Sequence, residues 1–125
     1  MSNLNTTNQI KLTPNFSLHE FQCNDGSHQV RLHPHLLERL QQLRTNLGRP
    51  IIITSGYRNP SHNQAVGGSP TSQHLLGTAA DIKVAGITID QLAHHAKEVG
   101  FTGIGRYPTF LHVDVRPQPS YWDYR

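Results

Sequence analysis

The sequence predicts an α+β domain, a small antiparallel sheet flanked by helices. Three observations carry this expectation. Apolar residues recur at helical spacing in two segments, Leu36 to Leu47 and Ile89 to Val99. Short β-branched or alternating runs lie between and after them, at Ile51 to Thr54, Ala79 to Val84, Phe101 to Arg106 and Phe110 to Val115. With 125 residues and no internal repeat, the chain has the size of one compact domain, assigned here to residues 1–125.

Residues 1–12 are Asn- and Thr-rich without apolar periodicity, and are expected to form a loose N-terminal arm or a tied-down edge. Ser17-Leu18-His19-Glu20 matches a capping box, so a short helix is expected from Ser17, ending before Asp25-Gly26. The next helix has Pro34 in its first turn, Leu36, Leu37, Leu40, Leu43 and Leu47 on one stripe, and Gly48 then Pro50 as its stop. Ile51 to Thr54 then reads as a buried strand. Ser55 to Thr78 is irregular, with glycines at 56, 67, 68 and 77, Pro60 and Pro70, and one helical turn expected at Ser61 to Val66; loops of this length in a compact domain tend to carry function. A strand at Ala79 to Val84, a helix capped by Thr88 and closed by Gly100, and two strands complete the order. Residues 117–125, with two Pro, two Tyr and the only Trp, read as a strapping tail.

Composition narrows the chemistry. A net charge of +3 is mild, and Lys and Arg are scattered rather than clustered, so nucleic acid is not the expected partner. No stretch approaches the roughly 18 apolar residues of a membrane span, and Met1 to Ile10 lacks the architecture of a signal peptide. Synthesis in the cytoplasm without a membrane partner is therefore expected. One cysteine, Cys23, excludes an intramolecular disulfide and any site built from several thiolates. Nine histidines make imidazole and carboxylate the available transition-metal ligands, which points to zinc in a hydrolytic role.

His74 and Asp81 stand seven residues apart across a Gly-containing turn. A carboxylate at Asp81, early in a strand of small and apolar neighbours, needs a cation to offset its burial. In Phe110 to Val115, period-2 alternation puts Phe110, His112 and Asp114 on one face and Leu111, Val113 and Val115 on the other, which makes His112 the third candidate ligand. Two His and one Asp would leave a fourth zinc position for water, the arrangement of a hydrolase. His19, His28, His33, His35, His62, His94 and His95 read as surface or capping residues, and Tyr121, Trp122 and Tyr124 as packing. Ser72 reads as a turn former, because no nucleophile elbow surrounds it. Tyr107, between a Gly-rich turn and the ligand strand, is a candidate for lining a cleft.

The order Ser72-x-His74-x-x-Gly77-x-Ala79-x-Asp81 resembles the signature of the zinc D-Ala-D-Ala carboxypeptidase family of peptidoglycan peptidases, which is similar in fold to the hedgehog signalling domain. Ser55-Gly56-Tyr57-Arg58-Asn59-Pro60 resembles the family's Arg-bearing loop, Gly103 to Pro108 its Gly-rich turn, and Leu111-His112-Val113-Asp114 its last ligand strand. The resemblance implies zinc held by His74, Asp81 and His112. It further implies that Arg58 stabilises the scissile carbonyl or anchors a substrate carboxylate, a role that suits a fixed guanidinium. Ser72 and Tyr107 are then candidates for substrate binding. Several members carry a catalytic Glu three residues before the last ligand, where this chain has Thr109. Asp114 is the local substitute, as general base or as the group that orients His112.

The implied activity is hydrolysis of a D-amino-acid-containing bond in the peptidoglycan stem peptide or cross-link, by carboxypeptidase or endopeptidase action. The alternative is a zinc-retaining but non-catalytic binding module of the same fold. A monomer acting on the cell wall is expected, either as a phage lysis enzyme released from the cytoplasm or as a bacterial peptidase on wall fragments. A closed structural zinc site is disfavoured because no fourth ligand suggests itself.

Overall fold

A computed structural model describes residues 8–125, so most of the expected N-terminal arm lies outside the described residues. The arm's last part is strand β1 (Lys11–Thr13), paired antiparallel with β2 (Phe16–Ser17). The helix expected from Ser17 is one 3₁₀ turn, Leu18–Phe21, even though Glu20 does accept the Ser17 N–H at 2.6 Å. It stops there because Phe21 is drawn into the core and Gln22 leaves in extended conformation.

Helix α1 (Pro34–Leu47) forms as its pattern demands. His33 Nδ1 accepts the His35 N–H, Pro34 opens the first turn, and Gly48 closes the helix in the left-handed region at φ 64°. Leu36, Leu40 and Leu43 are its buried stripe, each contributing about 2 kcal/mol by removal from water. After strand β3 (Ile52–Ser55) come α2 (Pro60–Ala65), a 3₁₀ turn at Gln73–Leu76, β4 (Ala79–Lys83), α3 (Ile89–Glu98), β5 (Gly103–Arg106) and β6 (Leu111–Asp114). The Thr88 hydroxyl accepts from Gln91 N while the Gln91 side chain accepts from Thr88 N, which starts α3.

The chain then forms a strand that its sequence did not suggest. Ser120–Asp123, in the expected strapping tail, is β7, and it pairs parallel with β5. The five-stranded sheet therefore runs β3-β4-β6-β5-β7, antiparallel except at this last edge. Side chains of β7 alternate, so Tyr121 lies exposed against Lys97 while Ser120, Trp122 and Tyr124 turn towards a cavity; these aromatics are not core packing. The sequence signal was weak because a four-residue strand with two nearby prolines is stabilised by its neighbour and not by its own pattern.

One sheet face is the core. Ala80 and Ile82 of β4, Ile104 of β5 and Leu111 and Val113 of β6 pack with the buried residues of α1 and α3. The alternate residues face the other way. Register sets Asp81 beside His112 and His112 beside Gly105, with Ala79, Asp114 and Gly103 in the adjacent row. A pleated sheet thus converts two separate sequence motifs into one lateral row of side chains.

Candidate metal centre

His74 is placed by local turns and one long-range staple. Ser72 Oγ accepts the His74 N–H and starts the 3₁₀ turn, which Gly77 ends at φ 71°. Gly77 has no room for a side chain, since a Cβ would stand 2.5 Å from the Arg31 carbonyl oxygen. At the end of β3, Gly56 passes against the Phe21 backbone, and its carbonyl accepts from His74 Nδ1 at 2.7 Å. Arg58 N–H donates to the His74 carbonyl, so the Arg-bearing loop and the His-bearing turn are tied together.

Three buried side chains converge. His74 Nε2 lies 3.3 Å and His112 Nδ1 3.2 Å from the same oxygen, Asp81 Oδ1. One ligand atom from each of the three lies within 4.8 Å of the others. Proton bookkeeping around them is decisive for what they can hold. A carbonyl only accepts, so the Nδ1 of His74 carries its proton and a neutral ring turns the Nε2 lone pair towards Asp81. His112 Nε2 donates to Asp114 Oδ2 at 2.7 Å, so in the neutral ring the Nδ1 lone pair faces Asp81 as well. Three acceptors aimed at one point repel unless positive charge sits between them, as protons on the rings or as one cation. Two imidazoles and a carboxylate form a borderline donor set that suits zinc, with room for a fourth ligand.

Asp114 is fully buried. Arg116 grips it with Nε to Oδ1 at 2.9 Å and a terminal nitrogen to Oδ2 at 2.6 Å, and the Arg116 N–H adds a third bond. Burial would raise its pKa, but Arg116 and then His112 outweigh that and hold it at about 2. Burial likewise disfavours a charged His112 ring, yet the Asp114 and Asp81 carboxylates raise its pKa above 6.5. Burial works against an ionised Asp81 too, and the His112 and His74 rings overcome it, keeping the carboxyl well below the ordinary range.

The cavity over this row has a volume of about 590 Å³. Arg58 lies on its floor, with contacts of 3.4 Å to Asp81 Oδ2, 3.4 Å to Asn63 Oδ1 and 3.3 Å to Ser55 Oγ. Ser72 and Tyr107 both line it, and Ser72 also caps the His74 turn. Asp114 does not line it. Thr109 is exposed in the turn between β5 and β6 and lies outside the cavity wall. The other seven histidines join no such cluster among the described residues.

Sequence reasoning missed Asn63, Arg116 and Trp122. Asn63 is 3% exposed, and its amide joins the Arg58 guanidinium to the Ser69 carbonyl. Its position four residues after Asn59, on the one turn expected in that loop, was the available signal. For Arg116 the signal was a cation two residues beyond Asp114. Trp122 had none, because only the pairing of β7 with β5 brings it to His112.

A family model described as Peptidase M15 matches residues 14–114. The chain belongs to the peptidase M15 family. The expected resemblance to peptidoglycan peptidases is borne out by that membership and by the relatives of this M15 domain. It is 33% identical over 97 residues to a probable peptidoglycan L,D-endopeptidase MepK of Haemophilus influenzae, covering 70% of this chain and 52% of the relative. To peptidoglycan L,D-endopeptidase MepK of Escherichia coli it is 31% identical over 93 residues, 67% of this chain and 51% of the relative. To a zinc D-Ala-D-Ala carboxypeptidase of Streptomyces albus G it is 37% identical over 67 residues, 53% and 26% of the two chains. The M15 chain thus spans about half the length of the MepK relatives it matches. Among its described residues, no helix is long and apolar enough to cross a membrane.

Proposed function

We propose that this chain is a single zinc peptidase domain that hydrolyses a D-amino-acid-containing peptide bond of bacterial peptidoglycan. The observation that carries the reading is the convergence of His74 Nε2, His112 Nδ1 and Asp81 Oδ1, all buried and each able to offer a lone pair to a metal, on one point beneath an open cavity. Zinc bound there would supply Lewis-acid polarisation of the scissile carbonyl and an acidified water.

The chain's own residues divide the remaining work. The Arg58 guanidinium stands beside the ligand carboxylate, held by Asn63 and Ser55, where it can donate to the scissile carbonyl oxygen as negative charge develops or to a substrate carboxylate. Asp114 acts as a positioning residue and not as the base. Both its oxygens are occupied by Arg116 and His112, it has no exposure to the cavity, and its hydrogen bond fixes the His112 tautomer whose Nδ1 faces the site. Ser72 and Tyr107, on the cavity wall, are assigned to substrate contact.

Asp114→Asn tests the positioning role. Zinc affinity is expected to fall about 10- to 100-fold, read by competition with a chromophoric chelator. Wild-type affinity with loss of the rate would instead make Asp114 the base.

The pH dependence follows from His112. Its pKa is raised in the folded chain, so the proton stabilises the metal-free fold fully below pH 6.5, and this stabilisation is lost as pH rises through the raised value. Zinc held by His112 would take the place of that proton. The melting temperature of chelator-treated protein is therefore expected to decline above pH 6.5 while that of zinc-loaded protein holds, a difference that differential scanning fluorimetry resolves. Parallel curves would contradict the ligand assignment of His112.

One observation favours a second reading, the non-catalytic zinc-retaining module. Among the described residues lining the cavity, Asp81 is the only carboxylate, and it is a candidate ligand. Incubating zinc-loaded protein with purified muropeptides and reading products by mass decides between them. Loss of a terminal D-Ala marks a carboxypeptidase and an internal cut an endopeptidase. Intact muropeptides would leave the binding module.

A further inference from the structure

Trp122 lies outside the span matched by the family, yet it reaches a candidate ligand. In the β7 and β5 pairing it stands opposite Gly105, which stands opposite His112 on the other side. A Cβ on Gly105 would overlap the indole, so the glycine is what lets the ring come across the sheet. The indole centroid is 5.1 Å from that of His112, Nε1 donates to Tyr107 Oη at 3.0 Å, and the Arg116 guanidinium lies 5.1 Å from the ring centroid. Tyr124 meets Tyr107 edge-on at 5.7 Å while remaining 69% exposed. The strand is pinned by Tyr124 N–H to the Arg106 carbonyl at 2.8 Å and by Arg125 to Asp90 at 3.1 Å.

The same cavity also has a polar part to its lining, made of Ser69, Thr71, Ser72 and the glycines at 67 and 68. An extended peptide alternates amides and side chains, so one polar and one aromatic wall together match such a ligand. The aromatic wall is held by hydrogen bonds before any ligand arrives, and contact with it costs little side-chain entropy.

We propose that β7 is a substrate-recognition strand, in which Trp122, with Tyr107 and Tyr124, receives the hydrocarbon part of the peptide residue flanking the scissile bond, an alanine methyl or a longer aliphatic chain. This rests on the peptidase reading above for the identity of the ligand. Trp122 is the only tryptophan of the chain, so its fluorescence reports this wall alone.

The test uses the zinc-loaded full chain and purified muropeptides, some ending in D-Ala-D-Ala and some carrying an L,D bond. Trp122→Ala is expected to keep its zinc, raise KM about 10-fold and change kcat less than about threefold, with Trp122→Phe restoring most of the affinity. Tyr124→Ala, at a position 69% exposed, is expected to keep the fold and raise KM about threefold. The wild-type Trp122 emission should change saturably as muropeptide is added. KM unchanged in zinc-replete Trp122→Ala and Tyr124→Ala, or a fall in kcat alone, would overturn the proposal. If Trp122→Ala does not fold, Tyr124→Ala and the fluorescence titration decide. Saturable emission change without hydrolysis would uphold the wall and remove the peptidase reading; hydrolysis with unresponsive emission and unchanged KM would do the reverse.

Discussion

Replacing His74 with alanine is expected to remove zinc and hydrolysis together. The substitution deletes one of three donor atoms, and two remaining protein ligands cannot hold a catalytic zinc through dialysis. It also leaves the Gly56 carbonyl without its 2.7 Å donor, a local cost of about 1–3 kcal/mol that a domain of this size tolerates. The expected outcome is near-zero zinc per chain by elemental analysis, no product from muropeptides, and a retained cooperative thermal transition. Metal content and activity both at the wild-type level would sink the assignment of His74.

Arg58→Ala is expected to separate metal from rate. Arg58 donates to Asp81 Oδ2, whereas the two ring nitrogens approach Oδ1, so its loss leaves the ligand geometry standing. Zinc content should therefore stay at the wild-type level. The rate should fall about 10²- to 10³-fold, the scale for a single preorganised donor to a developing oxyanion. Arg58→Lys should recover only part of it, because an ammonium cannot reproduce the planar fork that Asn63 and Ser55 hold in place. Loss of zinc alongside activity would show that Arg58 supports Asp81 and does not meet substrate.

The candidate site was legible where chemistry is written into short segments. His74 and Asp81 share one turn and one strand, and His112 sits in a run whose alternation of apolar and ionisable residues can be read directly. The division of labour around Asp114 was not legible. From sequence it could be base or orienting group, since alternation places it on the site face without saying what occupies its oxygens. Arg116 closes over it, through a bidentate contact made where the chain leaves β6, and that contact supports the orienting role proposed above. The capping box at Ser17 was present but started only a single turn, because burial of Phe21 outweighs a local helix signal.

The sequence by itself determined the α+β order of elements from α1 to β6, the core stripe of α1, the Arg-bearing loop, the three candidate ligands and the family resemblance that membership bears out. These depend on periodicity, turn chemistry and motif spacing, which act within a few residues. Only the tertiary structure decided the rest: the lateral register that sets Asp81 beside His112, the carbonyl and carboxylate that choose each ring's tautomer, and the parallel β7 that carries Trp122 to the cavity. Those are contacts between segments distant in the chain, chosen by shared burial and by satisfaction of backbone hydrogen bonds across the sheet, and no local pattern encodes which partner a four-residue strand will meet.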